Sequence, residues 1–251
     1  MNPLMKQSVA ELLASLLYTF VGAGAICMDS FLQTSGQSGI GLLGIALAHA
    51  VGLAIAITMT MHVSGGFANP AVTLGLLFVG KLSGRQAWYY VIAQVIGALI
   101  AGFFLTVLFS LAGNVVSATG LGTPHAEITM RKLFHREMDL QLTAMATLVE
   151  LLMTFLLTLG IFGTILDRRA PKLGGWGVAL LAMVILYFGI PFTGAAMNPA
   201  RYLGTAVWEA GVTANWSKLG DCYIYILGPV LGAMIASWIY DSYVLEESTG
   251  S

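Results

Sequence analysis

Two Asn-Pro-Ala triplets contain the side chains best suited to recognising a small molecule without reacting with it. The triplets are Asn69-Pro70-Ala71 and Asn198-Pro199-Ala200. Asn is a favoured helix N-cap, and Pro suits the first helical position because its missing N–H is not needed there. Each carboxamide has two N–H donors, and each helix N-terminus has partial positive charge. The triplets therefore predict a site that donates hydrogen bonds to a neutral acceptor and repels cations.

The helices that follow the triplets are too short to cross a bilayer. The first apolar run, Asn69 to Val79, would extend roughly 15 Å at about 1.5 Å per residue, or about half of a ~30 Å hydrocarbon core. Two half-helices that meet cap to cap at the midplane would together make one spanning element. Short segments interrupted by Gly and Pro, at matching places in two halves of a chain, are typical of transport sites.

The composition indicates that the elements around the triplets lie in lipid. Of the 251 residues, 57% are hydrophobic and only 9% are charged, whereas about a quarter of the residues in a soluble domain are charged. The net charge of −1 argues against nucleic acid as a partner. The two cysteines, Cys27 and Cys222, lack the spacing of metal ligands, and a disulfide between them stays open.

Six apolar stretches are long enough to span a membrane. We predict them at about Leu4–Met28, Gly39–Met61, Gln86–Ala112, Gln141–Leu166, Gly174–Phe188 and Asp221–Val244. Three of them plus one half-helix make a repeat, at about 4–112 and again at about 141–245, and an odd number of crossings forces the repeats into opposite orientations. The predicted fold is an all-α membrane protein, a single channel domain over 1–251 with six transmembrane helices and two re-entrant half-helices in two inverted repeats.

The segment between the two repeats, about 113–140, is polar. It contains His125, Arg131, Lys132 and His135. Mixed charges of this kind usually mark a solvated surface, and a lid over the outer mouth of a pore is the alternative. The sequence leaves both alternatives open.

With Arg201 directly after the second triplet, the chain resembles the major intrinsic proteins, the aquaporin family, from Ala10-Glu11 to Leu227-Gly228-Pro229. The resemblance implies a passive water channel that excludes protons and ions, with ammonia, hydrogen peroxide and urea as further candidate solutes. It also implies no cofactor, no enzymatic activity, a homotetramer in the lipid bilayer and both termini in the cytoplasm. Aquaporins are themselves the known example of selectivity by half-helix dipoles and an arginine.

The resemblance places the four positions of the family's selectivity filter at His49, Leu186, Ala195 and Arg201. An isolated His in an apolar helix is more often a core residue, but its alignment with the filter favours the pore. An arginine at membrane depth marks a functional site.

The resemblance also implies a ladder of six backbone carbonyls that accept hydrogen bonds along the pore. They belong to Gly65, Gly66, Phe67, Gly194, Ala195 and Ala196. Phe67 occupies a position where the family commonly has His, but a carbonyl does not depend on its side chain. Irregular backbone at membrane depth is expected only where it lines a cavity or is buried in protein.

Glu11 and Glu150 occupy matching places in the first span of each repeat, in Ala10-Glu11-Leu12-Leu13 and Val149-Glu150-Leu151-Leu152. By resemblance, these carboxylates accept hydrogen bonds from the re-entrant loops and hold the half-helices in place. A pore-lining role is the alternative.

A glycerol facilitator of the same fold is the main alternative function. Such members usually have Asp directly after the Arg of the second motif, whereas this chain has Tyr202, and Ile226 fits neither class. His49 with small or aliphatic companions resembles plant vacuolar-membrane members, and Ile224–Pro229 resembles archaeal-type members. An enzyme or a signalling membrane protein is a third alternative, but the sequence has no Ser/His/Asp grouping, metal cluster or phosphate-binding loop. We therefore predict water as the first substrate.

Overall fold

The computed structural model describes residues 1–113 and 116–245, and every regular element in these ranges is helical. In chain order the α-helices are α1 (Pro3–Thr34), α2 (Gly41–Thr60), α3 (Pro70–Phe78), α4 (Gly84–Leu111), α5 (Val116–Thr119), α6 (Ala126–Phe134), α7 (Leu140–Ile161), α8 (Trp176–Thr193), α9 (Pro199–Val212) and α10 (Cys222–Tyr243). A π-helical turn, Phe162–Leu166, extends α7, and 3-10 turns cover Gly120–Gly122 and Trp216–Leu219. The predicted all-α fold class is confirmed for the part of the chain that the structure describes.

Six helices are long and apolar enough to cross a membrane, namely α1, α2, α4, α7, α8 and α10. Most of their ends lie within a few residues of the predicted ones. The first is an exception, because α1 continues to Thr34 and its 32 residues exceed the roughly 20 that span a bilayer. The fifth also continues, through Pro191 to Thr193. Proline is tolerated there because only two residues of α8 follow it, so a bend at Pro191 affects only the last turn of the helix.

The two repeats pack around the centre in matching ways. In the first repeat α1 packs against α2 and α4, and in the second α7 packs against α8 and α10. Each half-helix contacts the last long helix of the other repeat, α3 against α10 and α9 against α4. The half-helices are therefore held between the repeats, as an inverted arrangement around a central site requires.

Two glycines at corresponding positions allow the long helices of each repeat to approach closely. A Cβ atom on Gly97 of α4 would collide with the carbonyl oxygen of Leu12, and one on Gly232 of α10 would collide with that of Leu151. Small residues at helix crossings permit this kind of backbone contact in membrane proteins. The same device thus fixes the α1–α4 pair and the α7–α10 pair.

Both ends of the described chain lie at one face of the helix bundle, called here the terminal face. Gln86 at the start of α4 donates to the side-chain oxygen of Gln7 near the start of α1 (3.3 Å). Lys81, a few residues earlier, forms an ion pair with Asp241 near the end of α10 (Nζ–Oδ1 2.6 Å). Lys81 and Gln86 therefore place the start of α1 and the end of α10 at the same face.

The connection from α7 to α8 also lies at the terminal face. Arg169 donates to the backbone carbonyl of Val244 (2.8 Å) and to the carboxylate of Asp167 (2.7 Å). The hydrogen bonds that the Arg169 side chain and backbone N–H donate to Asp167 hold the pKa of this carboxyl well below its usual range. The end of α7 and the start of α8 are thereby fixed beside the end of α10.

The segment between the repeats packs on the opposite face through part of its length, while residues 131–137 are exposed, as the predicted solvated surface requires. Ala126 and Met130 of α6 are fully buried, whereas Arg131 and Lys132 on the same helix are exposed. Thr129 donates to the backbone carbonyl of Phe192 at the end of α8 (2.6 Å). The helix forms here because its apolar side chains recur at helical spacing and pack on the second repeat. Residues 114 and 115 of this predicted segment lie outside the described residues.

A buried carboxylate also fixes this segment to the second half-helix. Glu209 of α9 accepts hydrogen bonds from Nε2 of His125 (2.8 Å) and from Nζ of Lys218 (2.5 Å). The Glu209 side chain is only 2% exposed. His125 of this segment is therefore part of a largely buried polar cluster near the C-terminal end of α9.

We expect Gly97→Ala to destabilise the protein, because the added methyl group would collide with the Leu12 carbonyl. Overpacking of this kind costs about 1–3 kcal/mol, which lowers the midpoint of thermal unfolding by roughly 2–12 °C in a chain of this size. Gly211→Ala is the matched control, since nothing lies within 4 Å of a Cβ placed there. The midpoints can be measured in detergent from the loss of monodisperse protein on heating. Equal midpoints for the parent and Gly97→Ala would contradict the close approach of α1 and α4.

Candidate functional site

The two half-helices meet at their N-termini through a reciprocal pair of hydrogen bonds. Nδ2 of Asn69 donates to the backbone carbonyl of Met197 (2.9 Å), and Nδ2 of Asn198 donates to that of Ala68 (2.8 Å). Each asparagine therefore binds the residue that precedes the other asparagine. One N–H of each carboxamide is used in this way, and the second N–H of each is left for another partner.

The same asparagines cap their own helices. Oδ1 of Asn69 accepts from the N–H of Ala71 (2.9 Å), and Oδ1 of Asn198 accepts from the N–H groups of Ala200 (3.0 Å) and Arg201 (3.2 Å). Pro70 and Pro199 occupy the first helical positions. The triplets thus do locally what their sequence predicts, because the caps depend only on neighbouring residues.

The loops before the triplets have a strained backbone at matching positions. Left-handed φ angles occur at Ala68 (49°) and Met197 (51°), and at Ala195 (49°). Non-glycine residues in this region cost about 1–3 kcal/mol each and persist where the surroundings impose them. Gly65 and Gly66 also have positive φ angles, but glycine adopts them without steric strain because it has no Cβ atom.

Two buried carboxylates impose this backbone conformation. Glu11 accepts from Oγ of Ser64 (2.6 Å) and from the N–H groups of Phe67 (3.1 Å) and Ala68 (2.8 Å). Gln94 of α4 adds a fourth hydrogen bond to Glu11 (2.7 Å). The Glu11 side chain is fully buried, so these hydrogen bonds are not weakened by competing solvent.

Glu150 has the corresponding contacts in the second repeat. It accepts from Oγ1 of Thr193 (2.6 Å) and from the N–H groups of Ala196 (3.0 Å) and Met197 (2.7 Å). It is also fully buried. All the hydrogen bonds that Glu11 and Glu150 accept from the loops involve groups that shape the backbone, which is the geometry expected of loop support rather than of pore lining.

Six backbone carbonyls, three consecutive ones in each re-entrant loop, have no hydrogen-bond donor among the described residues. They are the carbonyls of Gly65, Gly66, Phe67, Gly194, Ala195 and Ala196. The carbonyls on either side of each set are paired. Tyr90 donates to the Ser64 carbonyl (3.1 Å), Tyr225 donates to the Thr193 carbonyl (2.6 Å), and the asparagines bind the carbonyls after each set. The unpaired acceptors are therefore a defined row on each side of the asparagine pair.

The four predicted filter residues are all buried, with exposures of 1% or less. Nδ1 of His49 lies 2.9 Å from the backbone carbonyl of Ile45. Because a carbonyl can only accept, Nδ1 carries the proton in this contact and Nε2 is left with its lone pair. The Arg201 side chain has no hydrogen-bond partner for Nε or for either terminal nitrogen in the described part of the chain. Leu186 and Ala195 lie in the central apolar cluster.

Three further residues at the site were not predicted from the sequence. Tyr18 makes an edge-on ring contact with His49 (centroids 6.1 Å apart). Gly22 lies under the same imidazole, since a Cβ there would be 2.5 Å from Cδ2 and 2.7 Å from Nε2 of His49. Gln94 joins Glu11 to Thr73 of the first half-helix (Nε2–Oγ1 3.0 Å). Of these three, only Gln94 could have been found from the sequence, because it is a polar amide within an apolar helix.

A narrow cavity runs from the asparagine pair toward the terminal face. Its lining consists of Tyr18, Leu53, Ile57, Phe67, Asn69, Leu157, Ile161, Val178, Met197 and Asn198. It offers about 20 Å³ to the centre of a water-sized molecule, compared with the roughly 10–15 Å³ that one water requires. Both asparagines therefore border a space that can hold water.

The site has no sign of metal or disulfide chemistry in the described ranges. No group of three or more His, Cys, Asp or Glu side chains lies close enough to hold a metal ion in residues 1–113 and 116–245. Cys27 and Cys222, whose pairing the sequence left open, are both free thiols. What the arrangement can do is hold and orient a small neutral molecule.

We expect Glu150→Gln to weaken the second re-entrant loop, because an amide NH2 would face backbone N–H groups that now donate to a carboxylate. Leaving one buried donor unsatisfied costs about 1–3 kcal/mol, so the midpoint of thermal unfolding should fall by roughly 2–12 °C. Glu137→Gln is the matched control, since the Glu137 side chain is 81% exposed. A Glu150→Gln protein that melts with the parent would argue against loop support by this carboxylate.

Comparison with known proteins agrees with this geometry. The family model for the major intrinsic protein family matches residues 2–240. Aquaporin TIP4-4 of Zea mays is 32% identical over 243 residues, covering 95% of this chain and 86% of that protein. The lens fiber major intrinsic protein of Gallus gallus is 35% identical over 236 residues, covering 93% and 79%.

Among solved structures, the aquaglyceroporin from Plasmodium falciparum matches with a TM-score of 0.79 over 96% of this chain and 97% of that chain. Its sequence identity of 20% supports the shared fold alone. The family model covers nearly the whole chain and includes both triplets, and the two relatives align over 95% and 93% of the chain. The chain therefore belongs to the major intrinsic protein family, the family of the aquaporins.

Proposed function

We propose that this protein is a passive transmembrane channel for water. The observation that carries the proposal is the row of six backbone carbonyls without a donor in the described chain, with the two asparagines at its middle. An unpaired backbone acceptor at membrane depth costs several kcal/mol unless something supplies the missing donor. A file of water molecules supplies it. The similarity to proteins named aquaporins supports the same function.

The asparagine pair would orient water at the middle of this file. Asn69 and Asn198 both border the cavity, and each has one N–H that the cross-repeat hydrogen bond does not use. A water that accepts from both must turn its own hydrogens outward, toward the two rows of carbonyls. Proton hopping requires each water to reorient, so the fixed orientation interrupts it. The two half-helix N-termini add a positive potential that opposes cations.

The filter residues would select by charge and hydrogen bonding. Arg201 has five N–H donors in a rigid fork, and its side chain has no acceptor among the described residues. Nε2 of His49 offers an acceptor, while Leu186 offers an apolar wall. Water can satisfy both polar groups at once, and a cation is repelled by the guanidinium. Ammonia, hydrogen peroxide and urea are the further neutral solutes that we propose to test.

A glycerol facilitator is the less supported alternative. The position after Arg201 is Tyr202, which is fully buried and stacks on Tyr225 with ring centroids 4.4 Å apart. This packed aromatic pair takes the place of the aspartate that glycerol-type members usually have. The similarity to a solved aquaglyceroporin concerns the fold and does not favour glycerol.

We also propose that the terminal face is cytoplasmic and that the protein forms a homotetramer in the bilayer. The positive-inside rule favours this orientation, because the terminal side has six basic residues against four on the opposite side. The first group is Lys6, Lys81, Arg85, Arg168, Arg169 and Lys172, and the second is Arg131, Lys132, Arg136 and Lys218. The tetramer rests on family resemblance.

Reconstitution into liposomes tests the function directly. In stopped-flow light scattering, the parent should pass water faster than protein-free liposomes and should pass glycerol far less readily. Arg201→Val should keep most of the water flux and raise urea or ammonia flux, since the donors and the charge are removed. Arg131→Val, whose native side chain is 47% exposed, is the control. Parent liposomes no faster than empty ones would refute the proposed function, and unchanged solute selectivity in Arg201→Val would refute the filter position.

We expect Gly22→Ala to reduce water flux several-fold, because its Cβ would displace the His49 ring from its present position. The double variant Gly22→Ala/His49→Ala should recover the flux, since the displaced ring is absent. Gly24→Ala is the control, as a Cβ there meets only the Cδ2 atom of Leu105 at 3.3 Å. A loss that His49→Ala does not reverse would mean that Gly22 acts on stability rather than on the filter.

A further inference from the structure

The part of the cavity between the asparagine pair and the terminal face has an almost entirely apolar wall of side chains. Five aliphatic residues line it, from the end of α2, the end of α7 and the start of α8: Leu53, Ile57, Leu157, Ile161 and Val178. Phe67 of the first re-entrant loop also lines the cavity. Water in this stretch can bond to the loop carbonyls on one side but meets hydrocarbon on the others.

The Phe67 ring is confined to this position. A Cβ atom on Gly65 would meet the ring edge, with Cε2 2.7 Å and Cε1 3.0 Å away, so the ring covers the glycine closely. Tyr90 packs beside it with ring centroids 6.3 Å apart, and its hydroxyl is held by the Ser64 carbonyl. The N–H of Phe67 is bound by Glu11. The ring is therefore held in one position, and Phe67, which lines the cavity, is 7% exposed.

The second repeat has no counterpart to this ring. Aligning the loops on their asparagines places Ala196 opposite Phe67, and Ala196 is fully buried. Although the repeats match in their caps, carboxylates and strained residues, this position differs by a whole aromatic ring. The difference adds an aromatic residue to the apolar lining of the terminal-face half, while the polar filter residues belong to the other half.

Building on the proposed water channel, we propose that the Phe67 side chain and its aliphatic surroundings form a second, apolar constriction that limits the rate of water passage. Apolar side chains oppose water because they offer it no hydrogen bonds in place of those it gives up, so here only the loop carbonyls remain as partners. The filter at His49 and Arg201 determines which solutes pass, and Phe67 determines how fast water passes. The residue thus acts through its side chain as well as through its carbonyl.

Two substitutions at Phe67 test the proposal from different directions. Phe67→Ala removes the ring, and Phe67→His keeps an aromatic ring but adds nitrogen atoms that can bond to water. Phe67→His should raise the water permeability per channel by about fivefold, because one added hydrogen bond worth ~1 kcal/mol lowers the barrier by that amount. Phe67→Ala should also raise it, because removal of the ring widens the path. The ratio of glycerol to water permeability should stay at the parent value, because the filter is unchanged.

Phe109→Ala is the matched control. Phe109 has 6% exposure, close to that of Phe67, but it packs with Cys27, Leu105 and Leu121 away from the cavity. It should change thermal stability without changing flux per channel. Flux is normalised to protein recovered in the liposomes and to a monodisperse elution profile, so that poor folding is not counted as slow transport. Because Phe67→His nearly preserves ring size, it provides a folded variant if Phe67→Ala does not fold.

The outcomes separate this proposal from the proposed function. A water-permeable parent whose Phe67 variants match it in flux would overturn the constriction and leave the channel intact. A parent that passes no water while Phe67→Ala does would support a constriction tight enough to close the path. If neither the parent nor the variants pass water, the channel function fails and the constriction fails with it.

Discussion

The structure depends on how two stretches of non-helical backbone are held at membrane depth. Backbone that leaves helical geometry in lipid must find other hydrogen-bond partners, and here Glu11 and Glu150 provide them. Each carboxylate enters from the first helix of its repeat and binds consecutive N–H groups of a loop. Because these N–H groups point toward the carboxylate, the carbonyls of the same peptide units point away from it. The hydrogen bonds also stabilise the left-handed backbone of Ala68 and Met197. The half-helices can then meet through Asn69 and Asn198.

The pattern of paired and unpaired groups accounts for a site that transports rather than reacts. Every loop N–H that the carboxylates reach is satisfied, and the carbonyls at the loop ends are bound by Tyr90, Tyr225 and the two asparagines. The groups at the site that have no partner in the described chain include a row of carbonyl acceptors, one N–H of each asparagine amide and the guanidinium of Arg201. These groups can bind a molecule that both donates and accepts, and can release it, because each offers only a hydrogen bond.

The two repeats differ from each other at three places near the site. The first loop has Phe67 where the second has Ala196, and the second half-helix has Arg201 where the first has Val72. The second half-helix is also tied to the segment between the repeats, through Glu209 and His125. Symmetry therefore builds the scaffold, and the departures from it give the two halves of the path different chemistry, polar on one side and apolar on the other.

The sequence by itself determined the six spans, the half-helices and the capping roles of Asn69 and Asn198, because hydropathy and capping act between neighbouring residues. It also indicated Glu11 and Glu150 as loop supports, through family resemblance. The tertiary structure decided what depends on residues far apart in the chain. Examples are the bond from each asparagine to the opposite loop, the contact of Gly22 with His49, the link from Gln94 to Glu11 and the burial of Ala126 and Met130 on one side of α6. No local pattern encodes these contacts, since each needs two or more helices brought together by packing before its distance exists.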